Sequence, residues 1–541
     1  MNDGPADQAR HSWPDRVAVA ALGTAIAVLL ALIATFDYGR DQGIYAVVGR
    51  TILDGGMPYR DAWDFKPPGI YVVYAAARAL SGGAQWGIRA LELGGLAAMV
   101  WMFCKLAHRW WGQWRIGLWA GFLAALVHAQ LDFWHTAQPE TFGGMLSVAG
   151  LWAATDRQAT RHRWPYLVCG VLFGCAGLLK PPLAGGGAVV AVWAGWQAMQ
   201  SQPAPGRRPN RWRQLSRPAG WVLLGGALPF ALCLLWFWAR GALPALQETL
   251  LGFTPHYTAL GWQEHQLVEL VGKALLEWLL GYCSLITAGL LLTLVLWRRL
   301  QSQSGIALLL GVVAIQLLGV ALQGKFFPYH YAAAWPLTAL IAAVGWWHAW
   351  RLAVARGRGA IALFCLALLG AGVLRTATKD VQGSFWLRSA RRIHLYVLRA
   401  EDQPAADGLA TVADVNAAAN HRLAAQLRQR VAPGDSIYVW GFEPVLYDLS
   451  ERPSASRFIY NVPQRVSWSA EASRHELIDE LRSCPPAAIV VASKDTLPMV
   501  TGDLSDSAQA LQGFVELRQL IGQDYRKLME IEDFELHLRR Q

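Results

Sequence analysis

From Asp41 to Tyr71 the chain reads DQGIYAVVGRTILDGGMPYRDAWDFKPPGIY, directly after an apolar stretch long enough to cross a bilayer. This run carries Asp41, Arg50, Asp54, Arg60, Asp61, Asp64 and Lys66, none of which membrane anchoring requires. Similar residues recur at the ends of later apolar segments. Asp37 precedes the run, LDFWHTAQPE holds Asp132, His135 and Glu140, and LLKPP holds Lys180. LGFTPHYTALGWQEH contributes His256 and Glu264, and QGKFFPYHY contributes Lys325, Tyr329 and His330. Carboxylates can take protons and lysines can hold anions. Ionisable groups at membrane depth are costly, so their convergence from five loops marks a site.

Each residue also has a local reading. Asp41 precedes apolar positions at Ile44, Val47, Val48 and Ile52 and then DGG, the pattern of an interfacial amphipathic helix with a glycine C-cap. Asp41 is then either its N-cap carboxylate or a site residue. Lys66 and Lys180 each precede Pro-Pro, where a lysine either snorkels to lipid phosphate or serves the site. Glu140, after Pro139, suits a helix N-terminus through the macrodipole as well as a site. His135 and His330 read as interface histidines, since no His pair has metal-ligand spacing. No CxxC pair is present among the seven cysteines.

The elements that position these residues are membrane spans. The 541 residues are 54% hydrophobic and 16% charged, and the apolar residues come in runs of about 20, as in a polytopic membrane protein. Spans are expected near 17–36, 84–104, 116–131, 139–155, 165–179, 183–199, 218–239, 270–297, 305–322, 331–349 and 359–375, eleven in all. PPGIYVVYAAARAL is too short and carries Arg78, so it reads as an interfacial or re-entrant helix within a first external loop over about 37–83. The loops after even-numbered spans, KLAHRWWGQWR, DRQATRHR, RRPNRWRQLSR, WRRLQSQSG and RLAVARGRG, hold sixteen Lys or Arg and one acid. By the positive-inside rule these face the cytoplasm, which puts the charged run and residues 376–541 outside.

Net charge is +10, but residues 1–375 hold 29 Lys and Arg against 16 acids, and residues 376–541 hold 19 against 22. The basicity therefore follows topology and does not indicate nucleic acid. Residues 376–541 alternate strand-like SIYVW, RFIY and AAIVVAS with helices near 412–430, through EPVLYDL, near 470–482 and near 507–520, then a β-like tail. This predicts a soluble α/β domain with a small parallel or mixed sheet, capping the external face. No GxGxxG or P-loop supports nucleotide binding.

RDQGIY, GGMPYRDAWDFKPPGIYVVYA, AQPETF, LLKPPLAGG and GKFFPYHYAAAWPLTALIAA, in this order, resemble the GT-C membrane glycosyltransferases. The similarity is to the branch containing protein O-mannosyltransferases and the lipid A aminoarabinose transferase. It implies a GT-C fold and inverting transfer of a sugar from a polyprenyl-phosphate donor to a lipid, glycan or protein acceptor outside the cytoplasm. In that chemistry Asp41 would take the acceptor proton. Lys66, Lys180, Lys325 and His330 would hold the donor phosphate as its charge grows. Asp37, Asp64, His135, Glu140 and Tyr329 would contact substrate. Many relatives carry two adjacent acids where this chain has Asp41 and Gln42, so the pattern requires no cofactor; a divalent cation, Mg or Mn, stays open without support from ligand spacing. The competing reading is a transporter or flippase, although such proteins commonly show internal repeats and midplane sites.

Overall fold

The computed structural model describes residues 13–156, 163–200, 211–262, 265–281, 283–299, 303–373, 385–399, 401–412 and 415–540. Glu264, much of the basic loop segments and the 375/376 boundary lie outside these residues.

Among the described residues, each expected span falls mainly on helix. In chain order these and the shorter helices are α1 (Trp13–Ala34), α2 (Arg40–Leu53), α3 (Gly69–Ser81), α4 (Trp86–Trp111), α5 (Arg115–Gln130) and α6 (Pro139–Ala154). There follow α7 (Trp164–Leu179), α8 (Gly185–Gln200), α9 (Arg211–Ala239), α10 (Leu243–Gln247), α11 (Thr254–Ala259), α12 (Leu267–Leu280), α13 (Ser284–Val295), α14 (Gln303–Gln323), α15 (Trp335–Arg356) and α16 (Arg358–Val373). The chain is a polytopic helical membrane protein with a small C-terminal sheet. Among the described residues, five segments, in α1, α4, α9, α14 and α15, are long and apolar enough to cross a bilayer. The span expected over 270–297 is instead two helices, α12 and α13, bent by 98°. Gly281 caps α12, and Cys283 turns extended before α13 begins. The other five expected spans have 16 residues each, shorter than the ~20 of a typical spanning helix.

Close approach in the bundle depends on small residues. On α7, a Cβ at Gly174 would lie 2.5 Å from the Gly226 carbonyl oxygen of α9.

The first loop departs from the interfacial expectation. Helix α2 is buried over Gln42–Gly49, packed between α3 and the C-terminal Val445–Ser450 helix. Gly43 permits this, since a Cβ there would lie 2.6 Å from the Val445 nitrogen. The C-cap is Asp54, with Gly55 following at φ 86°.

In the C-terminal part, β1 (Thr411–Val412) and β2 (Val415–Asn416) form a short antiparallel pair. The main sheet comprises β3 (Ile437–Trp440), β4 (Ala488–Ala492), β5 (Tyr525–Ile531) and β6 (Phe534–Arg539), in the order β3-β4-β6-β5. Strands β3 and β4 are parallel, while β6 runs antiparallel to both neighbours. The mixed sheet follows from a β5–β6 hairpin joining a buried parallel pair. RFIY is not a strand. Its residues turn toward the first loop, where the Trp63 amide donates to the Arg457 carbonyl at 2.7 Å. The helix expected near 507–520 is two, Ser507–Gln512 and Val515–Asp524, divided at Gly513.

Candidate active site

The N-terminus of α2 is capped by Gly39, whose amide donates to Gln42 Oε1 at 2.6 Å. Asp41 is therefore not the N-cap. It is the second residue of the helix, where the macrodipole favours a carboxylate, and it lines the same cavity as Tyr329. Gln42 is spent on structure, its amide nitrogen donating to the carbonyls of Phe133 and, at 2.7 Å, Thr136.

The loop so held, 131–138, bends through two left-handed residues, Asp132 (φ 57°) and Ala137 (φ 51°). Its far side rests on a buried network from α4 and α5. Glu92 accepts from the Ala137 amide at 2.6 Å and from Arg89 at 2.7 Å, with His128 at 2.9 Å. Non-glycine residues in this backbone region are strained, and the network supplies the contacts that hold them.

Two cavities meet at this end of the bundle. The inner one, about 70 Å³, is lined by Asp41, Asp64, Lys66, His135 and Tyr329. Asp64 is 1% exposed and accepts from the phenols of Tyr460 at 2.6 Å and Tyr71 at 2.7 Å. Burial pushes its carboxyl above the usual range, against the opposing pull of the phenols and Lys66. His135 stacks on Trp134 with centroids 5.3 Å apart and lies 5.7 Å from the Tyr329 ring.

The outer cavity is a groove of about 460 Å³. Leu178, Phe230, Leu234, Leu246 and Leu250 make its wall apolar, while Lys66, Glu140, Lys180, Lys325 and His330 gather at its polar end. Phe65, Lys66 and Tyr257 line both cavities. Lys180 is ion-paired with Glu140. Lys325 donates to the Met499 carbonyl and lies 3.9 Å from the Tyr257 ring centroid. Burial and the neighbouring Lys66 bring its ammonium down to about 7.

Asp37 lies apart from both cavities and faces His421 at 3.1 Å. Asp61 binds Arg60, Asp132 binds Arg388 and Arg392, and His256 stacks on Trp468 at 5.8 Å.

Sequence reasoning missed much of the inner wall. Arg40 lines it, paired with Glu443 at 2.6 Å, and Phe442, Tyr460, Leu497 and Val500 reach it from the C-terminal part. No local pattern signals a pairing across some 400 positions. The aromatic residues of FWH and RFIY were the available hint, since buried tyrosines need hydrogen-bond partners.

Gln42 faces backbone carbonyls, Asp64 is occupied by two phenols, and no group of three His, Cys, Asp or Glu gathers among the described residues.

No protein-family model matches this chain, and no curated protein matches it. Two solved structures of ArnT from Cupriavidus metallidurans are similar over the whole length. The apo form has 15% identity and a TM-score of 0.57, covering 97% of this chain and 98% of that one. The form bound to undecaprenyl phosphate has 14% identity and a TM-score of 0.55, covering 96% and 97%. The fold is thus the GT-C fold.

Proposed function

We propose, from a GT-C fold whose lysine-rich groove opens beside a lone helix-start carboxylate, that this protein is an inverting glycosyltransferase using a polyprenyl-phosphate-linked sugar. The carrying observation is the shared wall of the two cavities. An apolar groove of about 460 Å³ suits a polyprenyl tail, and it ends at three lysines. That ArnT binds undecaprenyl phosphate with the same fold supports the assignment. The sugar would sit in the inner cavity beyond Lys66, between Asp41 and the His135 and Tyr329 rings.

Asp41 accepts the acceptor hydroxyl proton as that oxygen forms a bond to the anomeric carbon. The bond to the phosphate oxygen breaks, and the leaving phosphodiester becomes a monoester with one more negative charge. Lys66, Lys180 and Lys325 stabilise that charge in a site largely closed to water. Glu140 keeps Lys180 in place. The positive-inside reading orients this end of the bundle outside the cytoplasm, facing the periplasm or the cell exterior from the inner (plasma) membrane. The C-terminal part completes the acceptor side through Phe442 and Tyr460.

The test is incorporation of label from a panel of radiolabelled polyprenyl-phosphate sugars by purified protein in liposomes. Transfer from at least one donor, with free polyprenyl phosphate released, is the expected result. Movement of intact donor across the bilayer without cleavage would overturn it in favour of a flippase.

A further inference from the structure

After α16 the described chain resumes as α17 (Phe385–Arg392), continued by a π-helical turn over Ile393–Val397. Its polarity is inverted relative to a water-facing helix. Phe385, Arg388, Ser389 and Arg392 face the protein. Both arginines bind Asp132, and Arg388 also donates to the carbonyls of Gly408 at 2.7 Å and Leu409 at 2.8 Å.

The opposite face carries Trp386, Leu387, Ala390, Ile393, Val397 and Leu398, spaced as one stripe of a helix. Trp386 is 50% exposed, Leu387 55%, Val397 70% and Leu398 69%. His394, paired with Asp402 at 3.5 Å, is the polar residue within this face; an otherwise apolar exposed face of this kind marks an interaction surface in a folded protein. Its height in the fold identifies the partner. Trp386 Nε1 donates to the Gly372 carbonyl in the last turn of α16 at 3.2 Å, and Arg392 donates to the Thr35 carbonyl just past α1 at 3.1 Å. The segment therefore lies level with the ends of two helices on the same side of the bundle as Asp132. On α16, Leu366, Leu369 and Val373 are likewise 66%, 66% and 69% exposed, so the stripe continues a lipid-facing surface.

We propose that the Trp386–Leu398 stripe is seated in the lipid leaflet at the site end of the bundle, as an interfacial anchor. Tryptophan at one end and arginine on the inner side suit the headgroup level. Through Asp132 the anchor is joined to the loop that carries Trp134 and His135. This inference rests on the fold and holds whatever reaction the site performs.

The test places p-benzoylphenylalanine at Val397 or Leu398 of the full-length protein. The protein is reconstituted in phosphatidylcholine–phosphatidylglycerol vesicles, irradiated and weighed intact. Both positions should gain the mass of one phospholipid, as Leu366 in α16 should, whereas Val515, exposed on the C-terminal part, should not. A dimer-mass product would mean that a second copy covers the stripe. An internal cross-link would mean that another segment of the chain does. Unmodified monomer at both positions, with Leu366 labelled, would mean that it faces water. Any of these three results overturns the proposal.

Discussion

Replacing Asp41 by Asn separates a structural role from a chemical one by two different magnitudes. Gly39 is the cap, so the substitution leaves the capping geometry of α2 intact. What structure loses is one negative charge in the first helical turn, worth about 0.3–1 kcal/mol at most exposed sites. Asparagine also nearly matches aspartate in volume. The protein should therefore insert, fold and bind donor almost as before. A general base fares differently, because an amide cannot take the acceptor proton at neutral pH. Positioned bases contribute about 10²–10⁴-fold, so Asp41→Asn should slow transfer at least ~100-fold, about 2.7 kcal/mol of barrier. The assay is single-turnover transfer from a labelled polyprenyl-phosphate sugar in liposomes, alongside equilibrium donor binding. Asp54→Asn is the matched control, since Asp54 sits at the other end of α2 with a 71% exposed side chain. Asp41→Asn with near-normal single-turnover transfer refutes the reasoning. The base would then have to be Asp64 or Glu140, each already engaged by other side chains.

The phosphate contacts make a second test: Lys66→Met or Lys180→Met should weaken donor binding and slow turnover by about 2–4 kcal/mol of transition-state stabilisation. Unchanged turnover in both would mean that these lysines do not hold the donor phosphate. Because burial and Lys66 hold Lys325 near about 7, donor affinity measured from pH 6 to 9 should fall as the pH rises and Lys325 loses its proton. Lys325→Arg, which keeps its charge, should flatten that profile. Asp37 raises the His421 proton affinity, so this contact stabilises fully below the usual histidine value and is lost as pH rises through the higher folded value. Asp37 itself is burdened by burial but lowered overall by His421, so its contribution is lost only in acid. The loss of thermal midpoint in His421→Gln should thus be greatest near about pH 5–6 and fade in alkali. Finally, Cys484 is exposed in the C-terminal part and should react with an impermeant maleimide in intact cells. Protection of Cys484 until lysis would reverse the orientation. A cysteine at Gly43 cannot serve for this, because Val445 occupies the space.

The helices and their order were legible in the sequence, because lipid forces each span to satisfy its own backbone within one continuous apolar run. The gathering of Asp41 and the lysines around adjoining cavities was legible for a related reason, since a charge at the end of such a run stands out against its surroundings. The bend between α12 and α13 was not, because Gly281 and Cys283 lie inside a run that stays apolar throughout. Nor was the fate of α2, whose amphipathic pattern says that one face is buried and leaves open whether lipid or protein covers the rest. Only the tertiary structure brought the C-terminal part onto Gly43, turned Tyr460 toward Asp64 and Glu443 toward Arg40, and engaged Gln42 with backbone carbonyls. Hydropathy is a property of neighbours along the chain. Those contacts join residues from about 90 to 400 positions apart, and only packing decides them.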